Sequence, residues 1–181
     1  MAPHYPPLML VDGYNVIGLW HSLQSVRDTR GFAAAREQLI ETVYNYSAFR
    51  GYRTTLVFDA YIQPTPSRLE KVSPHLSLYF TEFRETADTY IEKTCGQYYR
   101  DPMRHVKRLI VVTSDRAQQL TSVGFGAEWM SSQLFEDEVT KSILAVRQRL
   151  KQKQASQRRT IGNRIDPQTR DRLSQWRNQL D

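Results

Sequence analysis

Leu8-Met9-Leu10-Val11-Asp12-Gly13-Tyr14-Asn15 decides how this chain is read: an apolar run is stopped by an acid, and a glycine turn follows at what reads as the carboxyl end of a first β-strand. Two further runs end in the same manner. Leu56-Val57-Phe58 leads into Asp59, and Leu109-Ile110-Val111-Val112 leads through Thr113-Ser114 into Asp115. In a parallel α/β sheet the carboxyl ends of the strands share one crevice, so acids placed there converge although far apart in sequence. Asp88, in a helical stretch after the apolar residues 76–80, adds a fourth. Convergent carboxylates repel unless a cation joins them, which points to a divalent metal and to phosphodiester chemistry.

Working outward, Gly13, Gly18 and Gly31 mark residues 13–31 as a loop region. From Phe32 the apolar positions Ala35, Leu39, Val43 and Tyr46 recur at three- and four-residue steps, predicting a helix to about Phe49, ended by Gly51. Residues 54–58 are β-branched and aromatic, a second strand. Pro64, Pro66 and Pro74 predict loop or a short helix between them. Then follow a strand over 76–80, a helix over 86–99, a strand over 108–112, a short helix over 117–121 and an edge strand near 128–131. Phe135, Val139, Ile143, Val146 and Leu150 keep helical spacing from Ser132 to about Gln152. Strands alternating with helices predict a three-layer α/β fold, a mostly parallel central sheet flanked by helices.

The 181 residues suffice for one domain and an extension, drawn here as 1–150 and 151–181. Charge separates the two. Residues 1–140 hold 14 basic and 16 acidic side chains, whereas residues 141–181 hold 11 basic and 3 acidic. An acid-centred body with a basic helical arm suits an enzyme acting on a polyanion, and Arg147, Lys151, Lys153, Arg158 and Arg159 are the expected phosphate contacts. A solvated arm with no partner is the plainer reading. Residues 151–164 are expected to be mobile or frayed helix, and Asp166-Pro167 starts a last helix with Leu173, Trp176 and Leu180 on one stripe. Cys95, the only cysteine, excludes an internal disulfide and a Cys-based zinc cage, and reads as a small buried hydrophobe. No apolar run has signal-peptide or membrane-span length, so a cytoplasmic location is expected.

Each motif has a bland counterpart. Asp12 could merely form an Asx turn after a strand; its recurrence at Asp59 and Asp115 shifts the weight toward a site. Gly13 would allow the turn, and the Asn15 amide could hold a water, a phosphate oxygen or Asp12 itself. Thr113 and Ser114 offer hydroxyls for water or phosphate, or for capping the next helix, with Arg116 beside them. Asp88 and Glu92 lie on one helical face, a like-charge spacing that a cation would relieve; for Glu92 a surface role is the stronger reading. Glu85 reads as a complement to the helix N-terminus. Tyr14 and Trp20 could stack on a base, though packing is the safer expectation. A phosphate-cradling Gly-x4-Gly-Lys-Ser/Thr loop is absent from the sequence, and Gly124-Phe125-Gly126 lacks the third glycine of a dinucleotide loop.

Taken in order, residues 10–18 (Leu-Val-Asp-Gly-Tyr-Asn-Val-Ile-Gly), Val57-Phe58-Asp59-Ala60, Glu85-Thr86-Ala87-Asp88-Thr89-Tyr90-Ile91-Glu92 and Val112-Thr113-Ser114-Asp115-Arg116-Ala117-Gln118-Gln119, followed by Gly126-Ala127, resemble the YacP-like NYN-domain family. The resemblance covers most of residues 8–150 and leaves the tail outside. It implies a PIN-like fold and Mg²⁺- or Mn²⁺-dependent endoribonuclease activity, since the family is similar to PIN and FLAP-type nucleases and includes a ribosome-associated enzyme that cuts messenger RNA. Asp12, Asp88 and Asp115 are then the core acids, Asp59 lies near their pocket, and Asn15 matches the motif's asparagine. A catalytically silent RNA- or ribosome-binding module is the alternative. An aspartate-nucleophile phosphatase ranks last, because Tyr14 stands where its second aspartate belongs.

Overall fold

A computed structural model of the chain describes residues 5–59 and 66–164, with side chains as far as residue 154. Two compact units result, Met1–Ser142 and Ile143–Asp181. Within the first, β1 (Leu8–Asp12) leads into α1 (Gly13–Leu19) and α2 (His21–Arg50), then β2 (Arg53–Phe58), β3 (Arg68–Lys71) and β4 (Leu76–Phe80). After these come α3 (Ala87–Arg100), β5 (Leu109–Val112), α4 (Arg116–Gly124), β6 (Glu128–Met130) and the start of α5 (Ser132–Arg164). The sheet order is β3-β4-β2-β1-β5-β6, and every pairing is parallel except that of β3 with β4.

The order of strands positions the site. From β1 the chain steps outward through β2 and β4, then returns to the other side of β1 for β5 and β6. Direction reverses beside β1, which opens a crevice at the carboxyl ends of β1 and β5. Register brings Asp12 level with Val57, and Val11 level with Val112, so the residues just past each strand rise on the same edge.

Both faces of the sheet are covered because its central strands are apolar on both sides. Met9, Val11, Leu56, Phe58, Ile110 and Val112 pack against Val16, Ile17, Leu39 and Val43 of the first two helices and Phe135 and Val139 of α5. Leu10, Val57, Leu109 and Val111 face Ala87, Ile91 and Cys95 of α3. All four β5 residues are buried, each contributing about 1.5–3 kcal/mol over exposure. Cys95 is free and buried, as its sequence context suggests, and burial pushes its thiol up.

Two expectations are corrected. Residues 13–19 and 21–30 are helical, joined at the extended Trp20: Val16, Ile17, Trp20 and Leu23 recur at three- and four-residue steps or closer and are all buried, and this core burial outweighs the weak helix preference of the glycines. Gly31 (φ 87°) breaks α2 at one residue, and Gly51 (φ 69°) ends it in the left-handed conformation. Between the prolines, residues 68–71 form the antiparallel edge strand β3, short and largely exposed, held by pairing with β4 rather than by burial. Helix α5 runs through Arg164. The helix expected after Asp166-Pro167 lies outside the described residues. Among those described, no helix is long and apolar enough to cross a membrane.

Candidate active site

Asp12 ends β1 and caps α1, its Oδ1 accepting the Asn15 N–H at 3.0 Å. Burial pushes its carboxyl up to about 6; the Asn15 backbone hydrogen bond opposes this, and the charges of Asp88 and Asp59 add to it. Asp59 follows β2 and accepts the backbone N–H of Ala87, the first residue of α3. Its carboxyl is also raised, first by burial. Asp88 sits in the first turn of α3 and is raised by burial and then by Asp115 and Asp59, while a hydrogen bond from the Gln118 amide works the other way. Asp115 caps α4, accepting the Gln118 N–H at 2.9 Å, and its own N–H donates to Thr113 Oγ1 at 3.1 Å. Asp88 is the acid on which the others converge: Asp115 and Asp59 both act on it, and it acts in turn on Asp12.

Asp88, Glu92, Asp115 and Gln118 line a hollow that opens to solvent. Among the described residues, no three His, Cys, Asp or Glu side chains stand together closely enough to hold an ion. The donor chemistry does fit a hard cation: the crevice offers carboxylate and amide oxygens, the ligand class of Mg²⁺ and Mn²⁺. Gln118 strengthens the fit. It is buried (7% exposed), its amide nitrogen donates to Asp88, and its Oε1 has no hydrogen-bond partner. An orphaned buried acceptor costs about 1–3 kcal/mol, which a cation or a bound donor would recover. Sequence reading gave Gln118 no role. Its position three residues after an Asp helix cap is the capping-box spacing, yet the side chain turns to Asp88 instead of back to the cap.

Asn15 joins three segments. Its Oδ1 accepts the Ser114 N–H at 2.9 Å and the Ser132 hydroxyl at 2.8 Å, tying α1 to the end of β5 and the start of α5. Ser114 is drawn into the same scaffold: its hydroxyl donates to Gln133 at 3.0 Å and accepts the Ser132 N–H at 3.0 Å. Trp20 is buried, with Nε1 donating to the Ser132 carbonyl at 2.7 Å, so its role is packing. Gly13 serves closeness rather than a turn. It lies in α1 without positive φ, and a Cβ there would meet the Phe58 ring at 2.2 Å.

Arg116 opens α4 beside Asp115, exposed and without an ion pair among the described residues. Glu92 stands on the hollow, and Glu85, one residue before the Thr86 cap of α3, accepts the Tyr79 hydroxyl at 2.9 Å. Arg147, Lys151 and Lys153 lie exposed on α5 in the second unit. The side chains of Arg158 and Arg159 lie outside the described residues.

Residues 9–178 match the family described as the YacP-like NYN domain. The chain belongs to that family. It is 33% identical over 121 residues to YacP of Bacillus subtilis (strain 168), spanning 66% of this chain and 67% of that protein. A crystal structure of Bacillus subtilis YacP superposes with a TM-score of 0.66 at 27% identity, covering 94% of each chain. A tryptophan-to-leucine mutant of it gives the same TM-score at 30% identity over 80% of this chain and 81% of that one. The fold is accordingly PIN-like, and NYN membership supports a ribonuclease-type function. The family match runs through residue 178, so the basic tail lies within it rather than beyond it.

Proposed function

We propose that this NYN-domain protein is a metal-dependent endoribonuclease that hydrolyses RNA phosphodiester bonds in the cytoplasm. The observation that carries the reading is the shared sheet edge: Asp12 ends β1, Asp59 and Asp115 follow β2 and β5, and Asp59 holds the first amide of α3, next to Asp88. Among the described residues none of these acids has an ion-pair partner, and a cation would draw them closer together than they now stand. Asp12, Asp88 and Asp115 would hold Mg²⁺ or Mn²⁺, with Asp59 supporting them. When bound, such an ion activates water and offsets charge on the phosphate and leaving oxygen. The protein's own part is positional: Asp59 holds the first amide of α3 and thereby sets Asp88, Gln118 steadies Asp88, and Asn15 fixes the Ser114 backbone next to Asp115. Arg116 and the basic arm, with Arg147, Lys151 and Lys153, would hold the RNA backbone.

Hydrolysis of this kind leaves a 5′-phosphate and a 3′-hydroxyl. Structured and unstructured RNAs, and messenger RNA engaged with ribosomes, are incubated with Mg²⁺ or Mn²⁺ and the ends mapped. Wild type is expected to cleave at least one of them and Asp12→Asn to lose about 10²-fold or more; equal behaviour in every condition removes the catalytic reading. One observation favours the alternative of a silent RNA- or ribosome-binding module. Asp12, Asp59 and Asp115 each satisfy a backbone N–H at the start of a helix, a structural task that needs no ion. That reading predicts RNA binding indifferent to Asp12→Asn and lost with residues 151–181.

A further inference from the structure

Beside the acid crevice runs a row of aromatic rings with arginines set against it. Tyr14, two residues past Asp12, meets Phe32 edge-on at 5.9 Å and Phe58 at 5.4 Å between ring centres. Phe58, which precedes Asp59, stacks on Phe80 at 5.7 Å. Arg36 donates to the Tyr14 hydroxyl at 3.2 Å and lies 6.0 Å from the centre of the Phe58 ring. Arg27 lies over Phe32 and Arg68 over Phe80, each at 5.8 Å. The charges of Arg27 and Arg68 are shared with Asp28 and Glu70, whereas Arg36 has no carboxylate partner among the described residues.

Burial within the row is graded. Phe58 is fully buried, Tyr14 and Phe80 are half-buried, and Phe32, first after the break at Gly31, is 55% exposed. A large ring left in water at the end of a packed row, with Arg27 over it and Arg36 on the neighbouring Tyr14, offers a face for a planar partner. Every nucleobase presents such a face, and the adjoining arginine supplies a phosphate contact. A duplex would keep its bases stacked on one another and unavailable. We infer that this row is a track for single-stranded RNA, with Phe32 stacking on a base and Arg36 holding a phosphate, so that the strand is led toward the crevice at Asp12. This rests on the nuclease reading for its direction, while the surface itself is tested without catalysis.

The probe is a fluorescein-labelled single-stranded RNA 12-mer of mixed sequence, with the same sequence as a duplex, measured by anisotropy in EDTA. Phe32→Ala is expected to weaken single-strand binding about 5- to 100-fold, the range of one lost base stack, and Phe32→Leu to resemble it. Phe32→Trp should stay within about twofold of wild type. Arg36→Gln should lower the slope of log affinity against log salt by about 0.7, and Arg36→Lys should restore it. The track is overturned if Phe32→Ala binds as wild type does, if Phe32→Leu binds as well as Phe32→Trp, or if the duplex shows the same Phe32 dependence. Cleavage is read separately with Mg²⁺ and Mn²⁺. A wild type that never cleaves but needs Phe32 for binding sinks the nuclease reading and leaves the track standing; cleavage with no Phe32 dependence of binding does the reverse.

Discussion

Replacing Asp12 by Asn should make the protein more stable at neutral pH while disabling it. The carboxyl is raised from 3.8 to about 6 in the folded state, so between these values the folded chain binds more protons than the unfolded one. Stability contributed by this group therefore falls as pH rises from about 4 to about 6 and stays low above that. A shift of roughly two units corresponds to about 3 kcal/mol, an upper figure because the crevice can relax around the charge. Asn keeps the acceptor that caps α1, since Asn and Asp are equally good there. Urea denaturation at several pH values gives the comparison: Asp12→Asn should match wild type near pH 4 and exceed it by about 1–3 kcal/mol at pH 7.5. Mg²⁺ at pH 7.5 should close part of that gap by stabilising only the wild type. A difference that is constant from pH 4 to pH 7.5 would refute the reasoning, because Asp12 would then carry no ionisation strain.

Two other substitutions probe the scaffold. Asn15→Ala removes both hydrogen bonds to Ser114 and Ser132 and should cost about 2–4 kcal/mol, whereas Asn15→Asp keeps both acceptors and should cost less; equal urea midpoints for the two would count against the hub. Gly13→Ala drives a methyl into the Phe58 ring and should cost about 1–3 kcal/mol in the same assay, with no loss meaning that the ring yields freely.

Much of this architecture was open to a reader of the sequence, and for a definite reason. The strand-end rule placed Asp12, Asp59 and Asp115 on one edge because buried parallel strands are continuous apolar runs that stop where the acids begin. The helix from Phe32 to Gly51 and α3 were legible from apolar spacing and their end signals. Residues 13–30 were misread because Gly13, Gly18 and Gly31 look like loop punctuation, although Gly13 is small only to clear Phe58. The edge strand β3 has too little apolar pattern in Arg68-Leu69-Glu70-Lys71 to announce itself. Within the site, Asp59 on the Ala87 amide and Gln118 on Asp88 span 28 and 30 residues, and pairings that distant leave no local trace.

The central place of β1 gives the crevice an uneven persistence. Leu8–Asp12 is hydrogen-bonded along both sides, to β2 and to β5, so its amides should exchange with deuterium only through the rarest, most extensive openings. β3 hangs from one neighbour at the rim and should exchange far sooner. The floor that carries the first acid is thus the part of the molecule that breathes least, while the margin facing solvent can loosen without disturbing it.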